Sequence, residues 1–366
     1  MLWSKAFQTA LYALSGVGAV THRLVLQTLR KHELTEEDFW VNRHDIWQKI
    51  PLDKSIVLSI KNFKKEHNSS SYLESVYEKS IRVILSEEKE FPPLLRQIEN
   101  HPPLLFARGA KLTDDESYLA VVGTREVTAY GKNVITEFVP TLVNFHKTIV
   151  SGFMYGVDVA AQRVALKAKG KTVGVLGFGF DHMYPTEHRA VLEEFLVQGA
   201  TFLSPFAPTT PSTPGSFPAR NEVVAGMSEG VLVIEGAEKS GSLITAHAAA
   251  EFGRDVWAVP GSIFSRYSEG TQILINEGAQ LVRCAEDVLG IAPVVGKKPR
   301  RKPAWQAFVG LKMEICKELA LGAVPIDVLA EKLGLQSTAL STELVELELL
   351  GLIEQFGNQW RLVVAQ

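Results

Sequence analysis

Cysteine is almost missing from this chain: Cys284 and Cys316 are the only two in 366 residues. They lie far apart, which excludes a disulfide framework and fits a reducing compartment. Long apolar runs are missing as well, and none approaches the roughly 20 residues that span a bilayer. The opening MLWSKAFQTALYALSGVG has one Lys and then a broken apolar pattern, whereas a secretory leader needs a basic end and an unbroken apolar stretch. A cytoplasmic chain with no membrane contact is the expectation. There is no excess of charge of either sign; the net charge is −3, so any polyanion must be held by a local patch. Metal-ligand spacing is lacking too. His182 and His188 flank MYPTE with no Cys or carboxylate cluster beside them, so neither a metal nor another cofactor is expected.

What is present is ample core material: 46% of residues are hydrophobic and 22% charged. At this length two or three domains are expected. Residues 1–80 read as helical. Leu11, Leu14 and Val17, then Leu24, Leu26 and Leu29, flank the turn Ser15-Gly16-Val17-Gly18. That turn suits either a helix-hairpin-helix, whose backbone N–H groups meet a DNA phosphate, or a plain interhelical turn. From Ile81 to Gly109 two Pro pairs flank one short helical stretch, and the segment reads as a connector into the core.

From Tyr118 onward the apolar runs YLAVVG, KTIVSG, KTVGVLG, ATFLSP, GVLVIEG and DVWAVPG alternate with helical stretches such as Val157–Ala168 and Leu243–Phe252. Continuous apolar strands alternating with helices predict an α/β, Rossmann-like parallel sheet covered on both faces, over residues 81–290. Residues 291–304 hold Lys297, Lys298, Arg300, Arg301 and Lys302 among prolines. This composition favours a solvated linker over a dedicated DNA-binding arm. Residues 305–366 suggest helices at Phe308–Leu321, Ile326–Leu333 and Ser337–Leu350 and then a hairpin, the pattern of a winged helix.

Ligands of such sheets bind beyond the strand ends, where loops converge and helix N-termini point. Four ends carry suitable residues. Gly123-Thr124-Arg125 offers close backbone approach and a forked cation, although an Arg in such a loop more often forms a surface salt bridge. Ser151-Gly152 follows the next strand; beyond it Asp158 starts a helix and is expected to cap it. Phe217, Arg220 and Asn221 open a helix after a Pro-rich loop. The latter two can donate to phosphate or base, while Phe217 could stack on an unpaired base or simply pack in the core. Lys239-Ser240-Gly241-Ser242 leads small residues into a helix and is physically the strongest anion site of the four.

These segments in this order, with Val259-Pro260-Gly261 and EGTQILINEGAQLV from Glu269, resemble the DprA/Smf family of DNA-processing proteins between about Ile81 and Val282. The family's usual outline agrees with the flanks: a SAM or helix-hairpin-helix-like N-terminal domain and a winged helix. The resemblance implies a dimer, not an enzyme, that binds single-stranded DNA, protects it on entry and loads the RecA recombinase during natural transformation. It assigns DNA binding to Gly123, Thr124, Arg125, Ser151, Gly152, Phe217, Arg220, Asn221 and Lys239 to Ser242. Two departures remove positive charge. SGFMYGVD stands where the family commonly reads SGLARGID, placing Met154 and Tyr155 at the Ala and Arg; RNEVVAGMS stands where RNRIIAGLS is common, placing Glu222 at a cation.

The competing enzymatic reading is a nucleotide-hydrolysing lysine-decarboxylase-like protein with a PGGxGTxxE loop. Here PGSIFSRYSEGTQIL keeps Gly270 and Thr271 but has Leu274 where the catalytic carboxylate would stand. A dinucleotide oxidoreductase is disfavoured because GTREVTAYG after the first strand lacks G-x-G-x-x-G. A pure interaction adaptor would need no phosphate-facing loops. The winged-helix segment is acidic. From Lys317 to Gln366 it holds three basic residues against seven acidic ones, and its third helix carries Glu343, Glu346 and Glu348 with no Lys or Arg, which favours a protein or regulatory contact over DNA.

Overall fold

The computed structural model describes residues 3–50, 52–292, 308–320 and 322–363. Two compact units result, Met1–Pro293 and Val294–Gln366. The basic run from Lys297 to Lys302 lies outside the described residues.

The first unit is built on a nine-stranded sheet: β1 (Arg82–Leu85), β2 (Leu104–Gly109), β3 (Ser117–Val122), β4 (Lys147–Ser151), β5 (Thr172–Val175), β6 (Thr201–Ser204), β7 (Gly230–Val233), β8 (Asp255–Ala258) and β9 (Gln280–Leu281). Their order is β1-β2-β6-β5-β4-β3-β7-β8-β9, and every pairing from β6 to β9 is parallel. The central strand β3 shows why apolar runs were needed. Ala120 and Val122 face a core shared with the helices Ser216–Met227 and Gly241–Glu251. Leu119 and Val121 face the opposite core, shared with Ala129–Asn144 and Val157–Lys167. A strand covered on both sides has no position left for polar alternation.

The segment Ile81–Gly109 is not a mere connector. β1 pairs antiparallel with β2, Arg82 opposite Ala107, and β2 pairs antiparallel with β6, which extends the sheet by two strands. The prolines misled because they fall outside both strands. Pro92 and Pro93 open the short helix Pro93–Arg96, and Pro102-Pro103 ends just before Leu104.

The N-terminal residues are helical as expected, with Lys5–Ala13 and Ala19–Lys31 flanking the Ser15–Gly18 turn. Phe7, Phe39, Trp40 and Phe63 form an aromatic core there. This core runs on into the sheet: Ala10, Tyr72 and Val76 pack with Val83, Leu85 and Phe106, and the Tyr12 hydroxyl donates to Pro205 O at 3.1 Å. The helices therefore share one compact unit with the sheet. In the turn, Ser15 N–H donates to Ser59 Oγ and Val17 N–H to Leu14 O, so two of its N–H groups are already engaged.

The second unit holds the helices Leu311–Leu319, Ile326–Leu333 and Ser337–Leu349 and the strands β10 (Val324–Pro325), β11 (Ile353–Phe356) and β12 (Gln359–Leu362), ordered β10-β12-β11. Ile315, Leu329, Leu340, Leu344, Leu347 and Trp360 form its core. The expected first helix is shorter at both ends, and the others agree to within one residue.

Candidate nucleic-acid interface

From β3 the chain winds outward through β4, β5 and β6, then crosses back to β7 and winds the other way. The order reverses between β3 and β7, and loops leaving a reversal point in opposite directions open a crevice. A cavity of about 460 Å³ occupies it. Eleven of the twelve site residues named from sequence line it: Gly123, Thr124, Arg125, Gly152, Phe217, Arg220, Asn221, Lys239, Ser240, Gly241 and Ser242.

Ser151 is the exception. It is the last residue of β4, fully buried, and its hydroxyl donates to Val121 O at 2.7 Å. A strand-end hydroxyl that ties two central strands together has no face left for a ligand, so Ser151 braces the sheet while Gly152 meets the cavity.

The loops are fixed by close backbone packing. A Cβ on Gly123 would come within 2.6 Å of Val157 Cγ2 and 2.7 Å of Glu235 O. Thr124 N–H donates to Glu235 O, and Thr124 O accepts from Val157 N–H. One dipeptide thus locks the β3 loop to the β7 loop and to the helix Val157–Lys167.

The cavity floor is polar and buried. Arg220 is 3% exposed; its Nη1 donates to Val175 O at 2.6 Å and to Gly152 O, and its Nε to Asn221 Oδ1 at 3.0 Å. Its guanidinium is therefore spent largely on joining β4 to β5, a correction to its reading as a donor held out to phosphate. Burial pulls the Arg220 pKa down to about 10 against the opposing charge of Asp158. Asp158 lines the same floor and accepts from Met154 N–H at 3.3 Å. Burial pushes its pKa up to about 6, with Arg220 opposing. Asp158 does not cap its helix, whose N-cap is Gly156; it holds the preceding loop instead. Gly152 is squeezed between the two charges, since a Cβ there would lie 2.8 Å from both Arg220 Cζ and Asp158 Oδ2.

At the mouth the chemistry changes. Arg125 and Lys239 are exposed, and neither has a hydrogen-bond or ion-pair partner among the described residues. Both also line an adjoining hollow of about 430 Å³. Ser240 caps the helix Gly241–Glu251, accepting from Ser242 N–H, and Asn221 Nδ2 donates to Gly241 O at 3.3 Å. An N-terminus held open beside two unpaired cations suits an anion. Phe217 lies half-buried, with Gly177 under its ring, where a Cβ would reach 2.9 Å from Cδ1. The lining also includes Met154, Pro218 and Ile244, which were not among the expected site residues. For Ile244 the signal was its place three residues beyond Gly241, on the same helix face.

Sheet order, switch-point cavity and winged-helix unit together define a Rossmann-like protein with a cleft at the sheet's reversal point. The model of the family described as DNA recombination-mediator protein A matches residues 82–292, and that of the DprA winged helix domain matches 311–358. DNA processing protein DprA of Bacillus subtilis is 41% identical over 217 residues, covering 59% of this chain and 73% of that protein. Protein Smf of Escherichia coli is 35% identical over 278 residues, covering 74% of each. The crystal structure of DprA from Streptococcus pneumoniae superposes with a TM-score of 0.65 at 30% identity, covering 79% of this chain and 98% of that one. A structure of DNA processing protein A from Helicobacter pylori, whose subject is its single-stranded DNA binding mode, gives 0.51 at 27% identity, covering 57% of this chain and 94% of that one. The chain belongs to the DprA/Smf family of DNA-processing recombination mediators.

Proposed function

We propose that this protein binds single-stranded DNA in the switch-point cleft. One observation carries the reading: four segments spread from Gly123 to Ser242 converge on one cavity whose mouth holds the unpaired Arg125 and Lys239. Cations at the mouth take backbone phosphates, and Phe217 offers a ring to an unpaired base. By family membership the bound strand is incoming DNA, protected by a cytoplasmic homodimer and handed to the RecA recombinase. Its role is that of a carrier and not of a catalyst. Leu274, at the position where a nucleotide-hydrolysing relative of this fold would need a carboxylate, is 3% exposed and packed in the core.

The test is fluorescence anisotropy with labelled oligothymidylate and a blunt duplex across a salt series. Tighter binding of the single strand, weakening as salt rises, is expected. Equal affinity for the duplex, or no salt dependence, overturns the proposal. Loading is tested separately, by whether the protein speeds the DNA-dependent ATPase of RecA on single strands already coated by a single-strand-binding protein.

A further inference from the structure

Beyond the cleft the rim of the sheet carries aromatic rings on its surface. Tyr184 is 44% exposed, and its ring lies 5.6 Å from that of Phe217 at the cavity wall. Tyr155 is 42% exposed and sits edge-on to His188 at 4.5 Å. Tyr155 is tied to the loop that carries Tyr184, because its hydroxyl donates to Glu187, three residues further along that loop, at 3.0 Å. Phe217, Tyr184 and Tyr155 thus make a path leading out of the cleft.

We infer that this path is a ledge on which successive bases of the strand leaving the cleft stack, so that Tyr155 and Tyr184 bind bases and not phosphates. The inference rests on the single-strand reading of the cleft. Two features support it. Each ring is anchored on one side, Phe217 over Gly177, Tyr184 against Phe217 and Tyr155 against His188, so little freedom remains to be lost on stacking. The side chains in contact with Tyr155 are not cationic. Glu187 accepts from the Tyr155 hydroxyl at 3.0 Å, and that contact together with a backbone hydrogen bond keeps it ionised; His188 is buried, which lowers its pKa and favours the neutral ring. Neither contact offers a phosphate a cation, whereas the exposed rings offer a base their π-faces.

The experiment compares the full-length chain with Tyr155→Ala/Tyr184→Ala and Tyr155→Phe/Tyr184→Phe. The probes are oligothymidylate and the same oligonucleotide with abasic residues in place of its bases. Expected are about tenfold or greater weakening of oligothymidylate binding by the Ala pair, wild-type affinity in the Phe pair, and a salt slope unchanged in both. The abasic strand should bind wild type and the Ala pair alike. Wild-type affinity of a folded Ala pair for oligothymidylate overturns the ledge, as does a shallower salt slope, which would mark a lost phosphate contact. If the ledge variants bind normally while Arg125→Ala weakens binding, only the ledge fails; if wild type binds no single strand, the cleft reading itself has failed.

Discussion

The rim of the large sheet and the third helix of the winged-helix unit are both surfaces on which a fold of this kind could receive DNA, and they are furnished oppositely. At the rim, Arg125 and Lys239 stand exposed without partners among the described residues, beside a capped helix N-terminus. On the helix Ser337–Leu349 the charges are Glu343, Glu346 and Glu348. Two of them are drawn to Lys312, with its Nζ 3.7 Å from Glu343 Oε2 and 2.6 Å from Glu346 Oε2. Its outward positions include Val345 and Leu349, which are 49% and 83% exposed. A cation already paired with a carboxylate has little left for a phosphate, and an apolar, acidic helix face repels a polyanion outright. On the reading proposed above, architecture supplies the crevice and the helix alike, and the placement of unpaired charge is what favours the crevice as the DNA site.

The largest expected effect falls on the floor that holds the rim in shape. Arg220→Ala leaves Asp158 buried without its counter-charge and frees Gly152 O and Val175 O, so it should cost about 3–5 kcal/mol of stability. Urea unfolding measures this, and an unchanged midpoint would show that the floor does not depend on the pair. Next comes the mouth. Arg125→Ala and Lys239→Ala should each weaken single-strand binding roughly fivefold near 0.1 M salt, irrespective of sequence. Each should also shallow the log–log salt slope by about 0.7. Folding should be untouched, because both side chains are exposed and neither has a partner to lose among the described residues.

A smaller effect is expected from removing the winged helix. Residues up to Pro293 form a compact unit with its own cores, so a chain ending at Gly290 should keep most of its single-strand affinity. A second chain ending at Pro303 retains the five cations from Lys297 to Lys302 and separates their contribution. Binding that survives in the longer truncation and collapses in the shorter assigns a DNA contact to the linker. Collapse in both would mean that the winged helix binds DNA after all, and the contrast between the two surfaces would fail. The smallest effect is none: incubation with nucleoside monophosphates should release no free base, as chromatography would reveal, because Leu274 offers no carboxylate.

Much of this molecule was legible in the order of its residues. Apolar runs such as YLAVV, buried on both faces, announce central strands, and small or capping residues after them announce loops that open helices. Both are local signals, since strand burial and helix starts are written within a few residues of where they occur. Tertiary structure alone decided the rest. Ser151 and Gly152 are adjacent in sequence, yet one ties β4 to β3 and the other lines the cavity. Arg220 looked like a phosphate donor until Val175 O and Gly152 O, 45 and 68 residues away, were seen to occupy its Nη1. Tyr184 and Phe217, and likewise Tyr155 and His188, share no pattern in sequence and meet only in space. A side chain's element follows from its neighbours in the chain, but what it is free to bind follows from its neighbours in space, which parallel crossovers bring in from far along the sequence.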